Sequence, residues 1–116
     1  WHVRGGLDLD AMLKAAGFII GRHDFSSFCA ANSDTEGAER EVLGCSLIRK
    51  EDFIDFTIEA TGFLKYMVRN ITGTLVYVGK GKFTHDDFKR ILEAKDRTLA
   101  GPTAPPQGLY LKEVKY

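Results

Sequence analysis

Two clusters in this chain combine residue types and spacings that suit chemistry. The first centres on Arg69, within the stretch 62–82, GFLKYMVRNITGTLVYVGKGK. Arg69 stands in line with Lys65, Thr72 and Val76, away from an apolar stripe on the same segment. A fold alone does not require an arginine there. It is either a solvated cation or a cation presented to something. The second cluster is 21–28, GRHDFSSF, where Arg22, His23 and Asp24 precede Phe25 and Phe28. A neighbouring histidine and carboxylate can act as an acid/base couple. They can equally make a turn closed by local hydrogen bonds, with the phenylalanines in the core. No further histidine or carboxylate motif joins them, which argues against a metal site. Cys29 and Cys45 have no ligand spacing and read as reduced thiols of an intracellular chain.

The elements that must hold these residues follow from periodicity. Phe63, Leu64, Met67, Val68, Ile71, Leu75 and Val78 recur at helical spacing, which predicts one long amphipathic helix from Phe63 to the glycines at 79 and 81. An earlier helix is predicted from an Asp8 cap, with Leu9, Met12, Leu13, Ala16 and Ile20 facing inward and Gly21 stopping it. Residues 31–41, AANSDTEGAER, read as an exposed, mobile loop. Val42 to Lys50, with Leu43, Cys45 and Leu47 on one face, and Phe53 to Ala60 read as a hairpin turning at Glu51-Asp52. In the second strand Ile54, Phe56, Ile58 and Ala60 alternate with Asp55, Thr57 and Glu59, a wet face rather than a catalytic one. Thr84 caps a last helix, with Asp87 three residues on and Phe83 able to staple to Phe88. That helix runs to Ala94, and His85, Asp86 and Asp87 suit its positive end. All three prolines lie within 102–106, in a stiff loop able to form a fixed wall. Leu109 to Tyr116 reads as a final strand.

With 116 residues, 44% hydrophobic and 28% charged, the chain suits one folded domain with a real core, an α+β antiparallel sheet with helices packed on it. Sixteen basic residues balance sixteen acidic ones, so any nucleic-acid site must be a local patch. The apolar runs are too short and interrupted for a signal peptide or a membrane span. The chain opens at Trp1 without a methionine and reads as part of a longer protein.

Three segments together resemble one family. They are GRHDFSSF at 21–28, FLKYMVRNITGTLVYVGKGK at 63–82 and AKDRTLAGPTAPPQGLYL at 94–111. In this order they are similar to the C-terminal half of the tRNA pseudouridine synthase A (TruA) family. The pairing of MVRN with TAPPxGLxL is the specific part; HDFxxF alone is weak. The resemblance implies a cytoplasmic, homodimeric, cofactor-free enzyme that isomerises uridine to pseudouridine in the anticodon arm of tRNA. It implies two similar α+β halves with the active cleft between them. The family's catalytic aspartate and an active-site tyrosine belong to the other half. None of Asp8, Asp10, Asp24, Asp52 or Asp55 lies in that motif.

By the same resemblance Arg69 is the basic active-site residue that pairs with the catalytic aspartate. Leu109 is expected beside the flipped base. His23, Asp24, Phe25 and Thr103 are expected to wall the cleft. Arg22, Lys65, Lys80, Lys82 and Arg97 are candidates for phosphate contacts, each against a plain surface role. Two other readings stand beside this one. One is a non-catalytic RNA-binding or dimerisation module of the same fold. The other is a hydrolase using His23 and Asp24, which lacks a nucleophile motif.

Overall fold

Asp8 accepts a hydrogen bond from the Ala11 amide at 3.1 Å and so starts helix α1, Leu9–Gly17. The computed structural model describes residues 6–29, 37–50, 53–64 and 66–104. In chain order these form α1, strand β1 (Gly21–Asp24), a 3-10 turn (Ser26–Phe28), β2 (Glu39–Lys50), β3 (Phe53–Ala60), α2 (Met67–Gly79), α3 (His85–Ala94) and a second 3-10 turn (Arg97–Leu99). The architecture is α+β, with an antiparallel sheet in the order β1-β2-β3 and helices packed on it. The expected turn at 51–52, most of the loop at 31–41, and the strand from Leu109 lie outside the described residues.

Helix α1 ends earlier than its periodicity suggests. It stops at Gly17, and Gly21, at φ +101°, opens β1 instead of capping the helix. The inward face is therefore Met12, Ala15, Ala16 and Ile19, while Leu13 and Ile20 are 43% and 47% exposed. The small Ala15 and Ala16 side chains suit a helix in contact with β2, α2 and α3 at once. β1 is a strand that its glycine and three polar residues do not advertise. It pairs with β2 through Gly21↔Val42, Arg22↔Glu41, His23↔Arg40 and Asp24↔Glu39, so Glu39 to Glu41 belong to the sheet and not to a loop.

A bulge changes the phase of β2. Val42 pairs with Ala60 and Gly44 with Glu59, which leaves Leu43 as the extra residue. Leu43 accordingly points out, 47% exposed, while Val42 and Leu47 are buried on either side of the slip. The simple alternation Leu43, Cys45, Leu47 is corrected to Val42, then Cys45 and Leu47. In β3 Ile58 and Ala60 are buried and Ile54 and Phe56 pack against the core, as expected.

The start of α2 is also displaced. Tyr66 sits at φ +63°, a left-handed conformation that a tyrosine rarely adopts, so Phe63 and Leu64 precede the helix rather than belong to it. They still pack against the core. Helix α3 forms as its sequence predicts: Thr84 and Asp87 make a reciprocal capping box, and Phe88, Ile91 and Leu92 are buried. The centre of the core is aromatic, with Phe25, Phe28 and Phe88 fully buried and the Phe28 and Phe88 rings stacked 5.5 Å apart. Each such side chain contributes roughly 1.5–3 kcal/mol through burial.

Candidate active site

Arg69 lies in the first turn of α2, half-buried, and is held by its own loop partner. Its Nε donates to the Ala104 carbonyl at 2.8 Å, and the Ala104 amide donates back to the Arg69 carbonyl at 3.0 Å. The guanidinium also lies over the Tyr66 ring, 4.7 Å from its centroid. The left-handed turn at Tyr66 thus starts the helix and places an aromatic face on the arginine one turn ahead. Among the described residues no carboxylate meets this guanidinium.

The position of Arg69 corrects one expectation. Helical spacing sets Arg69 in line with Thr72 and Val76, away from the apolar stripe. Val76 is buried, and Asn70, Gly73 and Thr74 are buried too, because the segment 101–104 lies directly on the helix. Gly73 permits that approach: a Cβ there would stand 1.6 Å from the Pro102 carbonyl oxygen. The Gly101 amide donates to Thr74 Oγ1 at 3.0 Å, and Thr74 Oγ1 donates to the Asn70 carbonyl at 2.8 Å. Arg69 therefore braces a loop and does not stand clear of the packing.

Arg97 is likewise drawn inward. Its Nη1 donates to the Gly101 carbonyl at 3.0 Å, and its Nη2 to Asn70 Oδ1 and Thr103 Oγ1, each at 3.1 Å. These contacts make Arg97 a structural tie between α2 and the loop at 101–104. Asp96 orients this arginine by capping the turn that carries it. The Thr98 hydroxyl, then the Thr98 amide, hold the Asp96 carboxyl below the usual aspartate range. Thr103 is exposed at the loop edge and donates to Asn70 Oδ1 at 2.6 Å.

The second cluster resolves into local bonds. His23 Nε2 lies 2.9 Å from the Ile20 carbonyl, and its ring meets Phe25 edge-on. Asp24 Oδ1 accepts from the Ser26 amide at 2.9 Å and from the Ser26 hydroxyl. His23 and Asp24 thus bond to their own turn and not to each other, which leaves no acid/base couple. Phe25 is wholly buried, so its ring belongs to the core and not to an exposed surface. Arg22 pairs with Glu39 at 3.3 Å, both well exposed, an ion pair with little energetic weight. An open depression of about 410 Å³ is lined by Arg22, His23, Asp24, Glu39, Leu92, Glu93 and Lys95. Lys80 is exposed, and Lys82 Nζ sits 4.6 Å from the Tyr77 ring centroid. Lys65 and Leu109 lie outside the described residues. Among the described residues no group of three or more His, Cys, Asp or Glu could hold a metal ion, and no helix is long and apolar enough to cross a membrane.

Sequence reasoning passed over Asn70, Gly73 and Thr74. A polar, a null and a small side chain at one, four and five residues past Arg69 on a helix mark a face built for close backbone approach, and that was the available signal.

Fold and site together define an α+β domain in which a fixed arginine is hydrogen-bonded to the loop at 101–104. Residues 15–116 match the model of the family described as tRNA pseudouridine synthase. The chain is 51% identical over its full length to a tRNA pseudouridine synthase A of Thermoanaerobacter sp. (strain X514), covering 48% of that protein. It is 47% identical to that of Myxococcus xanthus, covering 44% of it, and 48% identical over 99% of its length to that of Bacillus pumilus, covering 47%. The chain belongs to the tRNA pseudouridine synthase family. It spans about half the length of the curated relatives it matches.

Proposed function

We propose that the protein containing this chain isomerises uridine to pseudouridine in the anticodon arm of tRNA, as a cytoplasmic homodimer without a cofactor. In that reading the chain is the C-terminal half. It supplies Arg69, with His23, Asp24 and Thr103 as cleft wall and Leu109 beside the flipped base, and the nucleophilic aspartate comes from outside it. The single observation that supports this is Arg69 itself: a half-buried guanidinium with its Nε occupied by Ala104, one face on Tyr66, and no carboxylate partner among the described residues.

The chemistry follows from those contacts. A carboxylate nucleophile must stay ionised although partly desolvated. Burial raises its pKa, and a fixed cation lowers it. With Nε engaged, the two Nη groups remain as a planar fork for the two carboxylate oxygens, a geometry lysine cannot reproduce. The target base must leave its stack to be reached, which requires an enclosed pocket.

The test is single-turnover rate against pH in the full-length protein, alongside tRNA affinity. Arg69→Ala should lower the rate by about 100-fold or more, and Arg69→Lys by less. Affinity should change little, because binding is spread over many phosphate contacts. Removing the cation raises the aspartate pKa, so the acid limb should move to higher pH. Since Arg69 also holds Ala104, Arg69→Ala should loosen the segment 101–104 as well. Near-normal rates in Arg69→Ala would make Arg69 a structural arginine and overturn its assigned role, whereas absence of turnover in the full-length protein would favour the non-catalytic RNA-binding or dimerisation module.

A further inference from the structure

We infer that Asn70 is a positioning residue that fixes the Arg69 guanidinium through Thr103 and Ala104. The inference rests on the role proposed above for Arg69. Asn70 is 1% exposed. Its Nδ2 donates to the Phe28 carbonyl at 2.8 Å and the Cys29 carbonyl at 3.2 Å. Its Oδ1 accepts from Thr103 Oγ1 at 2.6 Å and from Arg97 Nη2 at 3.1 Å. A side-chain amide has two N–H donors and two acceptor sites, so its capacity is filled.

Three segments remote in sequence therefore end on one side chain: the 3-10 turn after β1, the turn carrying Arg97, and the loop at 101–104. Asn70 follows Arg69 on the helix, and Thr103 precedes Ala104 on the loop. The two consecutive helix residues hold the two consecutive loop residues, Asn70 taking Thr103 and Arg69 taking Ala104. The acceptor that aims the arginine is placed by the neighbouring amide. A free arginine side chain would sample many rotamers, and this tie removes that freedom before any substrate arrives.

Only an amide meets all four partners. Aspartate would set a charge against the Phe28 and Cys29 carbonyls. An apolar residue would take the Asn70 donors from those carbonyls and the Asn70 acceptor from Thr103 and Arg97.

The experiment uses the full-length protein and three readouts: single-turnover rate, tRNA affinity, and NMR exchange of the Arg69 Nε–H. Thr103→Val cuts the link at its exposed end, so it carries the test even if Asn70→Ser folds poorly. Both variants should speed Arg69 Nε–H exchange and slow turnover, each by about tenfold, with tRNA affinity nearly unchanged. Thr103→Ser should restore both. In an Arg69→Lys background, Thr103→Val should cost less than about twofold, since coupled residues do not add. Unchanged Nε–H exchange in Thr103→Val overturns the inference, whatever the rate does. An equal rate loss from Thr103→Val with and without Arg69 would also overturn it and make Thr103 a contact residue. If Arg69→Lys alone kept full activity, the role of Arg69 would fall, and the exchange measurement would still decide whether Asn70 aims it.

Discussion

Ser27 is a small side chain with two long-range partners. Its hydroxyl donates to the Ile91 carbonyl at 2.6 Å and accepts from the Asp96 amide at 2.8 Å, and it is wholly buried. It joins the turn after β1 to the C-terminal part of α3 and to the start of the 3-10 turn that follows. Ser27→Ala should destabilise the protein by about 1–3 kcal/mol, because it strands a carbonyl and an amide inside the fold. A denaturant titration measures this, and a shift within error would mean that water replaces the hydroxyl. Two exposed carboxylates give a pH dependence at the same scale. The Thr84 amide, then the Arg90 side chain, hold Asp87 below the usual range, and the Thr98 hydroxyl and amide do so for Asp96. Both groups favour the folded state when ionised. Their contribution is complete above the ordinary aspartate pKa of about 3.9 and is lost as pH falls below it through the folded values. Melting temperature followed over acid pH should therefore fall less steeply in the double variant Asp87→Asn, Asp96→Asn.

Among the elements, α2 decides where the loop lies, and two of its glycines separate packing from helix propensity. At Gly73 a Cβ would meet the Pro102 carbonyl oxygen at 1.6 Å, carbonyl carbon at 2.7 Å and the Ala104 amide at 3.3 Å, all backbone. Gly73→Ala must push the segment 101–104 away and break the Arg69–Ala104 pair, at about 1–3 kcal/mol for the overpacking. At Gly79 the nearest atoms are Met12 Sδ at 2.6 Å and Cγ at 3.1 Å, the movable end of a flexible side chain. There the gain in helix propensity, about 1 kcal/mol, offsets much of the crowding. Gly73→Ala should thus lower both melting temperature and turnover of the full-length protein, and Gly79→Ala should leave both close to normal. Equal effects would show that the loop is not seated on the helix at Gly73.

For the molecule as a whole, the proposed function makes Arg69 one part of a reaction that also needs a carboxylate. The isolated chain, incubated with unmodified tRNA, is expected to form no pseudouridine, and the full-length protein is expected to form it. Turnover by the pure chain would point to one of its own aspartates as nucleophile. Asp24 is the first to test, although its Oδ1 is already engaged by Ser26.

Local pattern alone determined much of this protein. The Thr84 capping box, the apolar face of α3, the antiparallel pairing of β2 with β3 and the burial of Phe25 and Phe28 were legible because each depends on residues a few positions apart or on alternation. The motif segments pointed to the family for the same reason, as short runs of fixed composition. Tertiary structure decided the rest. The left-handed Tyr66 moved the start of α2, and no local propensity marks a tyrosine for that conformation. The bulge at Leu43 turned a hydrophobic residue outward, because pairing with β3 and burial of Val42 outweighed alternation. Arg97, Thr103 and Asn70 look like ordinary polar residues until the chain brings together positions 27 and 33 apart. Whether a cation faces solvent or ties down a loop depends on which distant carbonyl lies beside it, and only the packing of 101–104 against Gly73 supplies that carbonyl to Arg69.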